Sequence, residues 1–306
     1  MSSIKILVSI DFDAVSGWLG TGTHPDNTLS DYACGIFAGQ VGVPRMLRLF
    51  RRLGIADKMT WFIPGHSMES FPDETAVIIK SGAEIGLHGY CHEGAYQLTE
   101  DQEREVFAKC IEVAEKLTGK KPRGYRAPLY QVRESTIRIL EDEGFLYDSS
   151  LSAHDSQIYR LPHRGGIPIK APEYKAESSA YNWMHPTVFS RQEKGKVLEV
   201  PCNWYMEDAT PMMVLPHTAN SHGYVDARVI ENNWKERFEF LIQERDDLHR
   251  EGASEALTVF PLCLHPDTCG HPHVIRMLER FLVWIQSKGD EVEFLTYTEA
   301  AEMSKA

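Results

Sequence analysis

The sequence predicts an α/β fold, a distorted or incomplete (β/α) barrel forming one domain over residues 1–306. Three observations predict it. Short, nearly continuous apolar runs alternate with amphipathic segments, the pattern of parallel strands buried on both faces with helices between them. Polar residues of catalytic type follow five of those runs, where a barrel of parallel strands gathers its functional groups. A length of 306 residues suffices for one large core.

The elements follow in order. The first strand is expected over 4–10, rich in β-branched residues. Pro44 and Gly54 bracket a helix over 44–52 with Met46, Leu47, Phe50 and Leu53 on one side. A strand over 59–63, a helix over 73–80 and a strand over 83–87 come next. Thr99 and Gln102 form a capping box for a helix that runs through Val106, Cys110, Val113 and Leu117 to Gly119. Then come a strand over 124–127, a helix over 134–143 stopped by Gly144, and a strand over 145–148. Strands over 197–200, 257–264 and 291–296 complete the sheet. Helices are expected over 228–250, with Trp234, Phe238, Leu241 and Ile242 on one side, and over 272–287. Two segments, 152–196 and 202–224, break the rhythm with Pro, His, aromatic and small residues. Loops of that length are usually functional or disordered, and the aromatic content argues against disorder. They read as a rim or lid within the domain, spanning 152–224. Trp183, Trp204 and Tyr205 are its candidate pocket walls, and it is also a candidate subunit contact of a homo-oligomer.

Composition narrows the function. A net charge of −12 argues against a nucleic-acid or anionic-membrane partner. No apolar run has the length of a bilayer span, and the N-terminus enters an apolar strand directly, so a cytoplasmic location is expected. The six cysteines form no CxxC pair and read as free, mostly buried thiols.

The most informative stretch is Leu87-His88-Gly89-Tyr90-Cys91-His92-Glu93. On a helical turn, positions four apart face the same way, so both imidazoles would reach one metal ion while Cys91 points elsewhere. Around the pair stand Asp11-Phe12-Asp13, Arg126-Ala127-Pro128, Asp148 and Leu264-His265-Pro266, each at or beyond a strand end. Two histidines and one carboxylate make a facial set that suits Zn²⁺, and also Fe²⁺, Co²⁺ or Mn²⁺. One of Asp11 and Asp13 would bind the metal while the other takes a proton, and His265 is a candidate acid on the opposite wall.

These pieces, in this order, resemble the polysaccharide deacetylase family with NodB homology, carbohydrate esterase family 4. The resemblance runs from about residue 5 to residue 300. It implies that Asp13, His88 and His92 hold the metal, that Asp11 is the general base, that Arg126 orients Asp11, and that His265 is the acid. It further implies that Asp148 tunes His265 or pairs with Arg126. The backbone N–H of Leu129 is a candidate oxyanion donor. The sequence departs from the family pattern where Phe12 separates the aspartates and Gly89 follows the first histidine. It departs again at Leu129-Tyr130, at Asp148-Ser149-Ser150, and in the extended run from His265 to Pro272. The departures are similar to the intracellular branch, which includes cyclic imide hydrolases, allantoinase-like and peptidoglycan-deacetylase-like proteins.

The sequence is therefore read as a metal-dependent hydrolase of non-peptide C–N bonds acting on a small cyclic imide, ureide or N-acyl compound. The alternative is an N-deacetylase of peptidoglycan or chitin-type sugars. A non-catalytic sugar-binding protein is the third reading.

Overall fold

The computed structural model describes residues 2–21, 27–189, 193–202, 204–213, 225–252 and 257–304. Among the described residues nine strands form one sheet: β1 (Ile4–Asp11), β2 (Thr60–Ile63), β3 (Glu84–Leu87), β4 (Gly124–Tyr125), β5 (Tyr147–Asp148), β6 (Tyr159–Pro162), β7 (Lys194–Glu199), β8 (Val259–Leu264) and β9 (Val292–Phe294). Their order is β6-β7-β5-β4-β3-β2-β1-β8, with β9 also paired to β1. Every pairing is parallel except β6 with β7. Among the described residues, the far edges approach each other at isolated bridges, Gln157 with Thr258 and Glu207 with Cys263. The result is the curled, incomplete barrel that the alternating pattern predicts.

Side-chain alternation along the strands sorts residues between two cores. On β1, Ile6, Val8 and Ile10 join the larger core under the helices, while Leu7 belongs to the smaller cluster inside the curl. Ser9 and Asp11 share the inner face with Leu7 and point toward the mouth. On β8, Phe260, Leu262 and Leu264 pack outward. Cys263 and His265 therefore fall on the inner side. Phe62, Tyr147 and Tyr297 floor the interior, with Phe62 edge-on to the other two.

Several expected elements shift. Strands β4, β5 and β9 are shorter than expected, and β7 starts three residues earlier. Pro44 stands in the first turn of the α-helix Val43–Leu53, as expected, but that helix does not start afresh. It lies inside a helical run that starts at Leu29, widens into a π-turn over Ala38–Gly42 and ends at Leu53. The Val43 N–H closes the wide turn on the Ala38 carbonyl, and Pro44 after it has no N–H to donate. The Thr99–Gln102 capping box forms as expected and opens a helix over Glu100–Thr118, closed by Gly119 at φ 75°. The helices Ala227–Arg250 and Pro272–Gln286 also fall where periodicity puts them. Segment 152–196 is not all rim, because it contains β6. Of 202–224, residues 203 and 214–224 lie outside the described residues. All six cysteines are free thiols, four of them buried. Among the described residues, no helix is long and apolar enough to cross a membrane.

Candidate active site

Asp11 ends β1 on its inner face. Phe12 turns the other way, buried edge-on against Trp61 and Phe71. This apolar spacer lets both Asp11 and Asp13 face the mouth. The Oδ1 atom of Asp13 lies 3.4 Å from Nε2 of His88, and its Oδ2 lies 3.5 Å from Nε2 of His92.

The two histidines are not on a helical turn. They lie in an irregular loop after β3, folded by left-handed backbone at Gly89 (φ 67°) and His92 (φ 61°). Gly89 explains itself, since that region favours glycine. The Glu93 carboxylate accepts from the N–H groups of Tyr90 and Cys91 at 2.8 and 2.5 Å and ties the turn. The outer nitrogens are held as well. Nδ1 of His88 donates to the Arg126 carbonyl at 2.7 Å, and Nδ1 of His92 meets the Thr21 hydroxyl at 2.8 Å. Both Nε2 atoms are thereby aimed at Asp13. Burial pushes both imidazoles down, His92 to about 4, so they are neutral at pH 7.

The residues fit a metal ion. Asp13 Oδ1 is buried with no hydrogen-bond partner, a lone pair left open in a polar cluster. The ligand atoms of Asp13, His88 and His92 all lie within 4.8 Å of one another. The usual zinc bond lengths of about 2.0–2.2 Å to N and O give tetrahedral edges of about 3.3–3.5 Å, close to the Asp13–imidazole separations above.

Arg126 is fully buried and satisfied from several sides. Its Nη1 donates to Asp11 Oδ1 at 2.6 Å and to Ser9 Oγ at 2.8 Å, and its Nε donates to the Ser149 carbonyl at 2.9 Å. The guanidinium carbon sits 4.2 Å above the Phe62 ring. Burial alone would raise the Asp11 carboxyl, but the Arg126 charge, with His88 and His265, holds it below the usual carboxylate range.

His265 ends β8. Its Nδ1 pairs with Asp208 Oδ1 at 2.7 Å, and its backbone N–H donates to Asp208 Oδ2 at 3.0 Å. Burial would lower this imidazole, yet the Asp208 carboxylate lifts it well above its ordinary value. Its free Nε2 lies 4.0 Å from Asp11 Oδ2.

Asp148 is not where the resemblance puts it. It touches neither His265 nor Arg126. It accepts from Ser150 Oγ at 2.8 Å, and Ser150 Oγ accepts in turn from the Ala127 N–H at 2.8 Å. Asp148 thus braces the Arg126-Ala127-Pro128 loop, and burial raises it to about 6. The carboxylate on His265 is Asp208, which the motifs do not single out. The adjacent acids Glu207-Asp208 inside an aromatic segment are its only signal in the sequence.

Above these groups opens a cavity of about 520 Å³, with apolar walls from Trp18, Leu129, Tyr130, Trp204 and Met213 and two carboxylates, Glu207 and Asp267. Trp204 meets Tyr130 at 4.6 Å between ring centroids. Trp183 and Tyr205 do not line it. Trp183 packs on Tyr174 at 5.2 Å, and Tyr205 lies under Arg237 at 5.1 Å, its side chain mostly exposed. Trp18, Thr21 and Met213 do not stand out in the sequence, because no motif includes them, and Tyr130 shows there only as a departure from the pattern after Arg126-Ala127-Pro128.

A catalytic mouth with a metal-type cluster, an ionised aspartate held by arginine and a charged histidine held by aspartate defines a hydrolase. The chain belongs to the polysaccharide deacetylase family and is a hydrolase of that family acting on amide C–N bonds. The family's profile matches residues 34–147. The chain is 54% identical to a peptidoglycan deacetylase-like protein of Gibberella zeae over 97% of this chain and 85% of that one. It is 36% identical to a peptidoglycan deacetylase of Helicobacter pylori, over 98% and 95% of the two chains. Its fold matches a solved Mycobacterium smegmatis protein assigned to the polysaccharide deacetylases, with TM-score 0.78 and 24% identity over 99% and 91% of the chains. An allantoinase structure shares the fold at TM-score 0.70 and 20% identity, over 98% and 90%. These relatives correct the expectation of a small imide or ureide partner. The two relatives that are more than 30% identical over nearly all of this chain are named for peptidoglycan, a saccharide polymer, and neither for an imide. No finding on the protein supports the expected homo-oligomer.

Proposed function

We propose that the protein removes N-acetyl groups from peptidoglycan-type amino sugars, converting an acetamide and water to acetate and a free amine. The observation that carries this reading is the near full-length identity to two proteins named for peptidoglycan deacetylation. The cavity supports it chemically. Trp18, Tyr130 and Trp204 offer flat apolar faces for sugar rings, and Glu207 and Asp267 offer acceptors for hydroxyls.

Asp13, His88 and His92 would hold the metal, with zinc the proposed ion because two imidazoles and a carboxylate suit it. A divalent ion there would lower the pKa of a water and polarise the acetyl carbonyl. Asp11, ionised beside Arg126, takes the proton of the attacking water. Arg126 keeps that carboxylate charged and turned toward the mouth. His265 carries its proton on Nε2, opposite its Asp208 contact, and delivers it to the departing nitrogen. The Leu129 N–H, in a loop with left-handed backbone at Leu129 (φ 54°) and Tyr130 (φ 57°), is the proposed donor to the developing oxyanion.

The test is acetate release by the zinc-loaded protein from peptidoglycan and from N-acetylglucosamine oligomers. Acetate is expected from at least one. No acetate from either overturns the reading.

A further inference from the structure

Cys263 is unexplained by the reaction above. It lies on the inner face of β8, two residues before His265, and is buried. Its Sγ sits 3.4 Å from Asp11 Oδ2, the oxygen that Arg126 does not hold. The same oxygen lies 3.7 Å from His88 Nε2 and 4.0 Å from His265 Nε2. The ligand atoms of Asp11, Cys263 and His265 all fall within 4.8 Å of one another. They form a second cluster of metal-ligand type, back to back with Asp13, His88 and His92.

We propose that Asp11, Cys263 and His265 form a second, inhibitory site for a thiophilic divalent cation such as Zn²⁺, Co²⁺ or Cd²⁺. The inhibitory part rests on the reading of Asp11 as base and His265 as acid.

Three features favour it. Bonds of about 2.3 Å to sulfur and 2.0–2.2 Å to N or O give tetrahedral edges of about 3.3–3.7 Å. The sulfur–carboxylate separation fits this, and the imidazole needs only a small approach. The Asp208 contact fixes Nδ1 of His265 and leaves Nε2 as the ligand atom, the carboxylate–histidine–metal arrangement that supports many sites. The two clusters adjoin, with Asp11 Oδ2 3.7 Å from His88 Nε2, as ligand sets do in sites that hold two metals. Arg126 works against a second cation, standing 3.3 Å from the sulfur. Asp11, Asp208 and the thiolate formed on binding offset it. Binding breaks the Cys263 S–H and His265 Nε2–H bonds, forms metal–sulfur and metal–nitrogen bonds, and releases two protons to solvent. The cation then occupies both the base and the acid, so turnover stops although the first site is filled.

The experiment titrates metal-free protein with Co²⁺ and reads bound metal and the near-ultraviolet thiolate-to-Co²⁺ charge-transfer band. Two equivalents are expected, with the band rising on the second. It should vanish in Cys263→Ser, which should bind one equivalent, and persist in Cys91→Ser, whose thiol lies between His88 and His92. Saturation at one equivalent without the band overturns the proposal. So does a band that survives Cys263→Ser and disappears in Cys91→Ser. In the activity arm, wild-type acetate release should fall at least tenfold between one and two equivalents of Zn²⁺. Cys263→Ser, whatever its starting rate, should show no such fall. Absence of acetate release at every zinc level counts against the deacetylase reading and leaves the band to decide the site.

Discussion

His88 and His92 stand on one wall of the mouth and His265 on the other, and their Nδ1 atoms face different partners. On the first wall the partners are a backbone carbonyl and a threonine hydroxyl. The nearby aspartates raise these rings only in part and burial outweighs them, so both rings are held neutral with Nε2 open as a lone pair. On the second wall the partner is Asp208, whose charge and hydrogen bond, together with Asp11 and Asp13, outweigh burial and keep His265 protonated. The same side chain becomes a metal ligand or an acid according to what its far nitrogen touches. Asp13 and Asp11 divide the same way. Asp13 is raised by burial and has an orphaned oxygen, whereas Asp11 is lowered by an arginine that holds one of its oxygens.

The largest expected effects fall on the first wall. Asp13→Ala, His88→Ala and His92→Ala should each lose bound metal and nearly all activity, because a three-ligand site tolerates no missing ligand. Elemental analysis of the purified variants checks this. Full occupancy in one of them removes that residue from the set. On the second wall, Asp11→Asn and His265→Ala should keep the first metal and lose roughly 10²–10⁴ in turnover, the usual size of a general acid–base contribution. If the second-wall variants lose metal and the first-wall ones keep it, the division between walls is wrong.

That division is only partly legible in the sequence. Asp11, Asp13, His88, His92, Arg126 and His265 follow apolar strand runs, and parallel-strand topology alone brings such positions together. Their supports are not legible. Asp208 is followed by only a short helix, Ala209–Met212, and it reaches His265 across 57 positions of sequence. Thr21 meets His92 across 71 positions. Such contacts leave no local periodicity. The HxxxH spacing invites a helix because two ligands four apart are natural there, but the pair Gly89 and His92, both at positive φ, achieves the convergence in a loop. Strand β6 gives no clear signal because it pairs on one side only, and its burial is uneven, with Leu161 alone fully covered.

Asp208→Asn sharpens the comparison from the other direction. Removing the carboxylate disfavours the charged ring, so the His265 pKa should fall toward or below the ordinary value near 6.5. Activity is expected between the lowered Asp11 value and the raised His265 value. The acid limb should therefore stay in place while the alkaline limb moves to lower pH. At a pH above both the wild-type and the variant His265 values, the protonated fraction drops about tenfold each time the pKa falls by one. A pH–rate profile of kcat/KM for the metal-loaded variant reads this directly. An alkaline limb that does not move would assign that limb to another group and remove Asp208 from the acid's support.

The smallest expected effects concern the aromatic walls, and they separate two tryptophans that the sequence treats alike. Trp204 lines the cavity and meets Tyr130, whereas Trp183 packs on Tyr174 outside it. Trp204→Ala removes an apolar face that would contact substrate in ground state and transition state alike, and such a loss raises KM while leaving kcat nearly unchanged. One aromatic contact is worth about 0.5–1.5 kcal/mol beyond its buried area, so a rise in KM of roughly 2- to 10-fold is expected. Tyr130→Phe gives an internal control. It keeps the ring beside Trp204 and loses only the hydroxyl that donates to Glu207 at 3.2 Å, so its KM should move less. Trp183→Ala and Tyr205→Ala should leave both constants within about twofold, because neither ring reaches the cavity. Steady-state kinetics on a soluble N-acetylglucosamine oligomer orders the four variants. If Trp183→Ala raises KM as much as Trp204→Ala does, substrate extends past the cavity onto the rim, and the binding surface is a longer groove.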